Sequence, residues 1–347
     1  GKRLFEPLYE EEDIDRLMAC MVPVEMHEPR RIAPGVTLTL FNAGHILGSA
    51  LVQLDVEENG RRHRILFSGD LGQPNQPILR HFEYPQGADI LLIESTYADR
   101  VHPSADDVEG RLKSYIDDIV QQRAKLIIPA FSVGRTQQVL YYLNRLLAAG
   151  RIRPLPVYID SPLSQKATKI YERHTEAYND QTRALLAKGV NPLTFPGLTF
   201  VETPQQSMAL NDLRGPMIII AASGMCEGGR VVHHLKASVG DPRNIILIVG
   251  FQAEATLGRR LVDYVDPVRI LGEEVPLRAR VQTINALSAH ADRNGLMDWF
   301  DHVKGGVRQA FAVHGEPEKV SKMVDLLRAH GCPSAVAPVP GQAFEFS

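Results

Sequence analysis

Four short runs of unbroken apolar residues constrain this chain most. They are Ile-Leu-Leu-Ile at 90–93, Leu-Ile-Ile at 126–128, Met-Ile-Ile-Ile at 217–220 and Ile-Ile-Leu-Ile-Val at 245–249. Each is short for a buried helix and ends at small or polar residues. From about residue 105 such runs alternate with helical patterns. Strands with no polar face must be covered on both sides, which implies a parallel sheet flanked by helices. At 347 residues the chain should form two domains, or one domain with a large insertion.

The flanking stretches read differently. An acid-rich amphipathic helix is expected over 7–20. The alternation Val36-Thr37-Leu38-Thr39-Leu40-Phe41 predicts a strand that ends at Gly44-His45. A second strand over 50–56 turns at Glu58-Asn59-Gly60, a hairpin signal, into a strand over 64–68 that ends at Gly69-Asp70. The run at 90–93 ends at Glu94-Ser95-Thr96-Tyr97. After the alternating region come strands near 267–271 and 275–284. Then follow Ser288-Ala289-His290-Ala291-Asp292, a helix over 293–302, and a strand over 309–313 that ends at His314-Gly315-Glu316.

His45, Asp70 and Glu94 lie 25 and 24 residues apart, and His290 and His314 are separated by 24. Each interval is one strand plus its connection, so all five can meet on one sheet edge, where α/β proteins build sites. Imidazole nitrogens and carboxylate oxygens suit zinc, and a carboxylate can bridge two metals. A metal pair about 3.5–4 Å apart is a device for phosphoryl chemistry. A carboxylate beside a histidine that does not bind metal would raise its pKa and prepare a general acid.

Composition narrows the class. With 44% hydrophobic and 23% charged residues and no apolar run of membrane-spanning length, a soluble globular protein is expected. The opening Gly1-Lys2-Arg3-Leu4-Phe5-Glu6 lacks the apolar centre of a secretory signal. Three separated cysteines, Cys20, Cys226 and Cys332, argue for a reducing, cytoplasmic setting and against a thiolate zinc site. The net charge of −3 excludes a globally basic nucleic-acid coat, so any such binding must use a local groove.

Five motifs occur in order: Gly44-His45-Ile46-Leu47-Gly48-Ser49-Ala50, Ser68-Gly69-Asp70-Leu71-Gly72, Glu94-Ser95-Thr96-Tyr97, Ser288-Ala289-His290-Ala291-Asp292 and Val313-His314-Gly315-Glu316. In these the chain resembles the β-CASP branch of metallo-β-lactamase-fold RNA nucleases, cleavage-factor-like and ribonuclease J-like. The resemblance implies a partial metallo-β-lactamase αββα sandwich over 1–106 and 271–347, with an inserted β-CASP domain over 107–270.

It further implies two zinc ions, with His45 on the first, Asp70 bridging and His314 on the second. His290 would protonate the leaving oxygen and Glu94 would orient it. DNA-directed relatives usually carry an aliphatic residue at the position of His314, so histidine favours RNA, and the partner expected is single-stranded RNA. The turns Ser132-Val133-Gly134-Arg135 and Ser223-Gly224-Met225 match segments that line the family's RNA groove. The implied activity is RNA phosphodiester hydrolysis in processing or decay, endonucleolytic with 5′-exonucleolytic action also open. A homodimer is among the assemblies considered.

One family motif is missing. His-x-His-x-Asp-His, which normally precedes the position of His45, does not occur: no two of the 12 histidines are separated by a single residue. The expectation is that the chain starts inside the metallo-β-lactamase domain, whose N-terminal half is absent. The alternative is a catalytically incomplete RNA-binding or scaffold subunit. A DNA nuclease, or a hydrolase of another ester, ranks third.

Other residues weigh as follows. Arg135 opens a helix after a glycine, a position suited to an anion. Ser132 and Ser161 read as helix N-caps. Gly228-Gly229-Arg230 matches no dinucleotide fingerprint and no P-loop lysine follows, so no nucleotide cofactor is expected. Gln252 and Thr256 could reach RNA backbone oxygens. Trp299 reads as core, Tyr97 as a conceivable base-stacking surface, and His81, His102, His174, His233, His234, His302 and His330 as structural or exposed.

Overall fold

The structure, a computed structural model, describes residues 8–102 and 106–346. The opening residues 1–7, read above for a secretory signal and a helix start, lie outside these, as does the expected start of the next helix at 105. Helix α1 (Glu11–Cys20) forms with three acidic residues in its first turn, but none of its residues is buried.

The first sheet contains β1 (Arg30–Ala33), β2 (Val36–Asn42), β3 (Ala50–Glu58), β4 (Arg61–Phe67), β5 (Ile90–Glu94) and β14 (Gln309–Val313), in the order β1-β2-β3-β4-β5-β14. β1 to β4 are antiparallel neighbours, whereas β4, β5 and β14 run parallel. Asn59 and Gly60 both have positive φ, as the two-residue β3–β4 turn requires. β2, β4, β5 and β14 therefore all end on one edge, and β3 starts there.

Leu51, Leu66, Leu91, Ile93, Ala310 and Ala312 pack under α9 (Arg293–Val303) and α10 (Pro317–Ala329), around the fully buried Trp299. The Trp299 indole N–H donates to the Glu83 carbonyl at 2.9 Å, so this residue is core, as expected. The opposite face aligns Leu40, Val52, Phe67 and Leu92 across four strands, with Leu38, Leu54 and Ile65 beside them. These seven are only half-buried and belong to none of the three buried clusters. The sheet thus has two apolar faces, one of them covered by helices.

The second sheet is wholly parallel. It comprises β6 (Lys125–Pro129), β7 (Val157–Asp160), β8 (Leu198–Phe200), β9 (Met217–Ala221), β10 (Ile245–Ile248) and β13 (Arg280–Thr283), in the order β13-β10-β6-β9-β7-β8. Leu126, Ile128, Ile218 and Ile220 pack on one face with α2 (Asp106–Gln122) and α3 (Arg135–Ala148). Ile127, Ile219 and Ile246 pack on the other with α7 (Arg230–Ser238) and α8 (Leu257–Val262). Burial on both faces is why these runs carry no polar alternation. The sheet takes its last strand from 280–283, past residue 270, where the sequence reading placed the boundary. The hairpin of β11 (Val268–Ile270) and β12 (Glu273–Val275) spans that point.

Asp160, fully buried at the end of β7, accepts from Ser207 Oγ at 2.5 Å and from Arg230 and His234 at 2.6 Å each. This ties α7 and α6 (Pro204–Asp212) to the strand. The units touch where Leu47 N–H donates to the Tyr171 hydroxyl at 3.2 Å, from the loop after β2 to α4 (Pro162–Arg173).

Gly72 is the tightest point of the edge. Its N–H donates to the Ala43 carbonyl at 2.8 Å, it bridges to His290, and a Cβ there would collide with the Gly44 carbonyl. Gly72→Ala should therefore lower stability by about 1–3 kcal/mol or more through overpacking. Gly110→Ala, on an exposed turn of α2 with no atom near the added methyl, should raise it by about 0.4–1 kcal/mol. Urea unfolding of both checks this, and a Gly72→Ala midpoint equal to wild type would overturn the close approach.

Candidate active site

Backbone contacts fix the edge before any side chain acts. Ser49 Oγ accepts from the His45 and Ile46 amides at 3.0 and 3.2 Å, folding the loop after β2 back on itself. Ala291 N–H donates to the Leu71 carbonyl at 2.8 Å, Gln73 N–H to Ala289 at 2.9 Å, and Ser95 N–H to His314 at 3.1 Å. With the Gly72–Ala43 bond, these contacts tie the loops after β2 and β4 to the loop before α9, and the loop after β5 to the loop after β14.

Four of the five predicted side chains converge on Asp70 or its neighbours. His45 Nε2 lies 3.9 Å from one Asp70 oxygen and His314 Nε2 lies 3.5 Å from the other, so the carboxylate stands between two imidazoles. The His45 and His290 rings are 4.4 Å apart, and His290 stacks on His314 at 6.1 Å. Donor atoms of His45, Asp70 and His290 all lie within 4.8 Å of one another. The fifth, Glu94, is buried one layer deeper. Its carboxylate accepts from Leu71 N–H at 2.6 Å and meets His290 Nδ1 at 3.1 and 3.2 Å. With Nδ1 turned to Glu94, the other nitrogen of His290 remains for chemistry.

Burial, then the neighbouring His290, push the pKa of His45 down to about 4, despite Asp70 and Glu94. His45 is therefore neutral near neutral pH, the form that binds metal. Burial also pulls His290 down, but the hydrogen bond and charge of Glu94 more than offset it, and its pKa lies above the ordinary value. A neutral imidazole whose Nε2 faces Asp70, and a half-exposed carboxylate between two histidines, fit a divalent metal with nitrogen and oxygen preference.

His45, His290 and His314 line one wall of a cavity of about 820 Å³. The opposite wall comes from the loops and helix starts that follow β6, β7, β9 and β10: Phe131, Val133, Leu163, Met225 and Phe251, with Ser132, Ser223 and Arg135 between them. The cleft thus lies between the two sheets, at the C-terminal ends of the parallel strands.

The predicted RNA-contact residues divide. Arg135 lines the cavity but is buried; it donates to Gln138 Oε1 at 2.6 Å, its Nε has no partner, and burial lowers its pKa to about 10. Ser223 lines the cavity with an unpartnered buried hydroxyl. Ser132 also lines it, but it is not an N-cap: Gly134, at φ +80°, caps α3, and Ser132 Oγ pairs with Ser161 Oγ at 3.1 Å. Ser161 does cap α4.

Gly134 and Gly224 act as spacers, since a Cβ at either would lie 2.8 Å from Ile46 or from the Phe131 ring. Gln252 is a correction. Its amide points inward to the Gly224, Gly250 and Phe251 carbonyls and holds that loop, so it does not face the cavity. Thr256 is the N-cap of α8. Tyr97 is buried and offers no stacking surface.

Sequence reasoning missed Phe131, Leu163 and Lys319. Lys319, in the first turn of α10, is buried against Phe251 at 4.9 Å and paired with Glu316 at 2.9 Å. Its place just after the His314 motif was the available signal.

Two family comparisons match this arrangement. The Beta-Casp domain matches residues 136–261, and the Zn-dependent metallo-hydrolase RNA specificity domain matches 274–338, which contains His290 and His314. The chain is 36% identical over 330 residues to a ribonuclease of Thermus thermophilus, covering 95% of this chain and 74% of that one. An RNase J-like protein of Methanocaldococcus jannaschii is 31% identical over 311 residues, covering 89% and 70%. The transcription termination factor FttA of Pyrococcus horikoshii is 34% identical over 324 residues, covering 90% and 49%. The chain therefore spans about half the length of that termination factor. The matched domains and the ribonuclease-named relatives, together with this histidine- and carboxylate-bearing edge, mark a metal-dependent hydrolase. Within that class, the chain belongs to the β-CASP family of metallo-β-lactamase-fold RNA nucleases.

The Glu94–His290 pair is testable through its charge. Glu94→Gln keeps an acceptor for Leu71 N–H but leaves the burial of His290 uncompensated, so the His290 pKa should fall below about 6.5. Because the native pKa is raised, the pair stabilises the fold in full below about pH 6.5, and this is lost as pH rises through the native value. NMR titration of the His290 ring, with denaturation at several pH values, measures both. An unchanged titration would sink the pairing.

Proposed function

We propose that this chain carries the catalytic cleft of a zinc-dependent ribonuclease that hydrolyses single-stranded RNA. The carrying observation is Asp70 standing between His45 and His314, with the Glu94-bound His290 beside them. Support comes from the matched RNA specificity domain and from relatives named as ribonucleases. These also weigh against a purely scaffolding role. The sheet built from both ends of the chain through the β5–β14 pairing supports assigning those ends to one metallo-β-lactamase-fold unit.

His45, Asp70 and His314 would hold the metal, in our reading as two zinc ions with the Asp70 carboxylate shared. Bound zinc lowers the pKa of water toward neutrality and neutralises charge on the phosphate. The chain's own residues do the rest. Glu94 holds His290 in one orientation and favours its protonated form, so the nitrogen facing the cleft can give its proton to the leaving oxygen. Arg135 and Ser223 line the path of the RNA backbone, where a guanidinium and a hydroxyl can hold phosphate oxygens.

His290 is also close enough to His45 and Asp70 to ligate, and variants separate the two uses. His290→Ala should keep its zinc and lose about 10²–10⁴-fold in RNA cleavage. Zinc lost with the side chain would make it a ligand instead. Asp70→Ala should lose zinc altogether by elemental analysis, and undiminished zinc would refute the shared carboxylate.

A further inference from the structure

The wall facing the histidines is apolar, which phosphate chemistry does not require. Phe131 is 39% exposed, Val133 37% and Leu163 59%, and all three line the cleft. Few large apolar side chains stay exposed in a built cavity without a ligand to meet them. Phe131 is also held rigidly. Its ring lies on the backbone of Gly224, where an added Cβ would come within 2.8–3.0 Å of three ring atoms, and a Cβ added at Gly250 would also touch the ring, at 3.7 Å. Gln252 pins both glycine carbonyls through hydrogen bonds at 2.9 and 3.2 Å. One face of the ring is thus backed by fixed backbone while the residue stays partly open.

We propose that Phe131 is a stacking platform for one unpaired nucleobase of the RNA, seated across the cleft from the His45–Asp70–His290 cluster. The inference rests on the ribonuclease reading and adds a subsite to it. Its ligand is the π-face of any base, so it favours single strands without selecting sequence. Arg135 lines the same cavity, and Lys319 does so paired with Glu316, so the cleft sets a guanidinium beside the aromatic face. The arrangement also suits an acidic chain. At a net charge of −3, long-range attraction cannot hold RNA, and stacking contributes affinity that salt does not screen.

The test is the affinity of a short fluorescein-labelled single-stranded RNA, by anisotropy with EDTA present to prevent cleavage, across a range of salt. Phe131→Ala should weaken binding roughly 5- to 150-fold, the equivalent of about 1–3 kcal/mol per stacked base, with the slope of log affinity against log salt unchanged. Phe131→Trp, which keeps an aromatic face, should bind at least as tightly as Phe131→Leu and tighter than Phe131→Ala. Walking one abasic nucleotide along the strand should find a position where wild type loses affinity and Phe131→Ala does not. Equal affinity of Phe131→Ala and wild type overturns the platform while leaving the ribonuclease reading intact. A changed salt slope makes the effect electrostatic and also overturns it. A wild-type chain that binds no RNA overturns both.

Discussion

The close backbone approach of Gly72 to the Gly44 carbonyl is the constraint on which the site depends. It brings the loop after β2 against the loop after β4, and the bridge from Gly72 to His290 brings in the loop before α9. No side chain fits at that contact, so glycine is a steric requirement there. The histidines and carboxylates meet because the strands that carry them end together and their loops pair as short extensions of the sheet. Preorganisation by rigid backbone lets a few side chains keep catalytic geometry.

The cleft joins two sheets of opposite character. The first contributes charged and imidazole groups from its edge, and the second contributes an apolar wall from the ends of its parallel strands. Each layer obeys ordinary packing rules. The parallel sheet is buried on both faces and can present function only at its strand ends. The first sheet has one face under helices and one half-buried apolar face. Electrostatics within the cleft follow burial: His45 is kept neutral and His290 is held toward its charged form by Glu94. Two similar side chains about 4 Å apart thus acquire opposite proton preferences, a pattern that separates ligand from acid.

Much of this was legible beforehand because it rests on local pattern. The unbroken apolar runs announced the parallel sheet, Asn59-Gly60 announced the hairpin, and the recurrence of polar residues after strands pointed to one edge. Reading failed where a side chain's direction depends on distant parts of the chain. Gln252 looked available, but its amide is turned to the Gly224 carbonyl of a neighbouring loop and to the Gly250 and Phe251 carbonyls of its own. Ser132 looked like an N-cap, but the positive-φ turn at Gly134 moved the helix start past it. Tyr97 looked like a stacking surface and is buried, while Phe131, an unremarked strand-end residue, is open.

By itself the sequence determined which residues could carry the chemistry, the order of the strands that deliver them, and the two-sided burial of the second sheet. These follow from periodicity and residue type, which act over a few positions. Tertiary structure alone decided that Asp70 faces two histidines, that Glu94 meets His290 across 196 residues, and that an apolar wall stands opposite. Those are contacts between segments far apart in the chain, and side-chain direction there is set by packing and backbone pairing that no local pattern encodes.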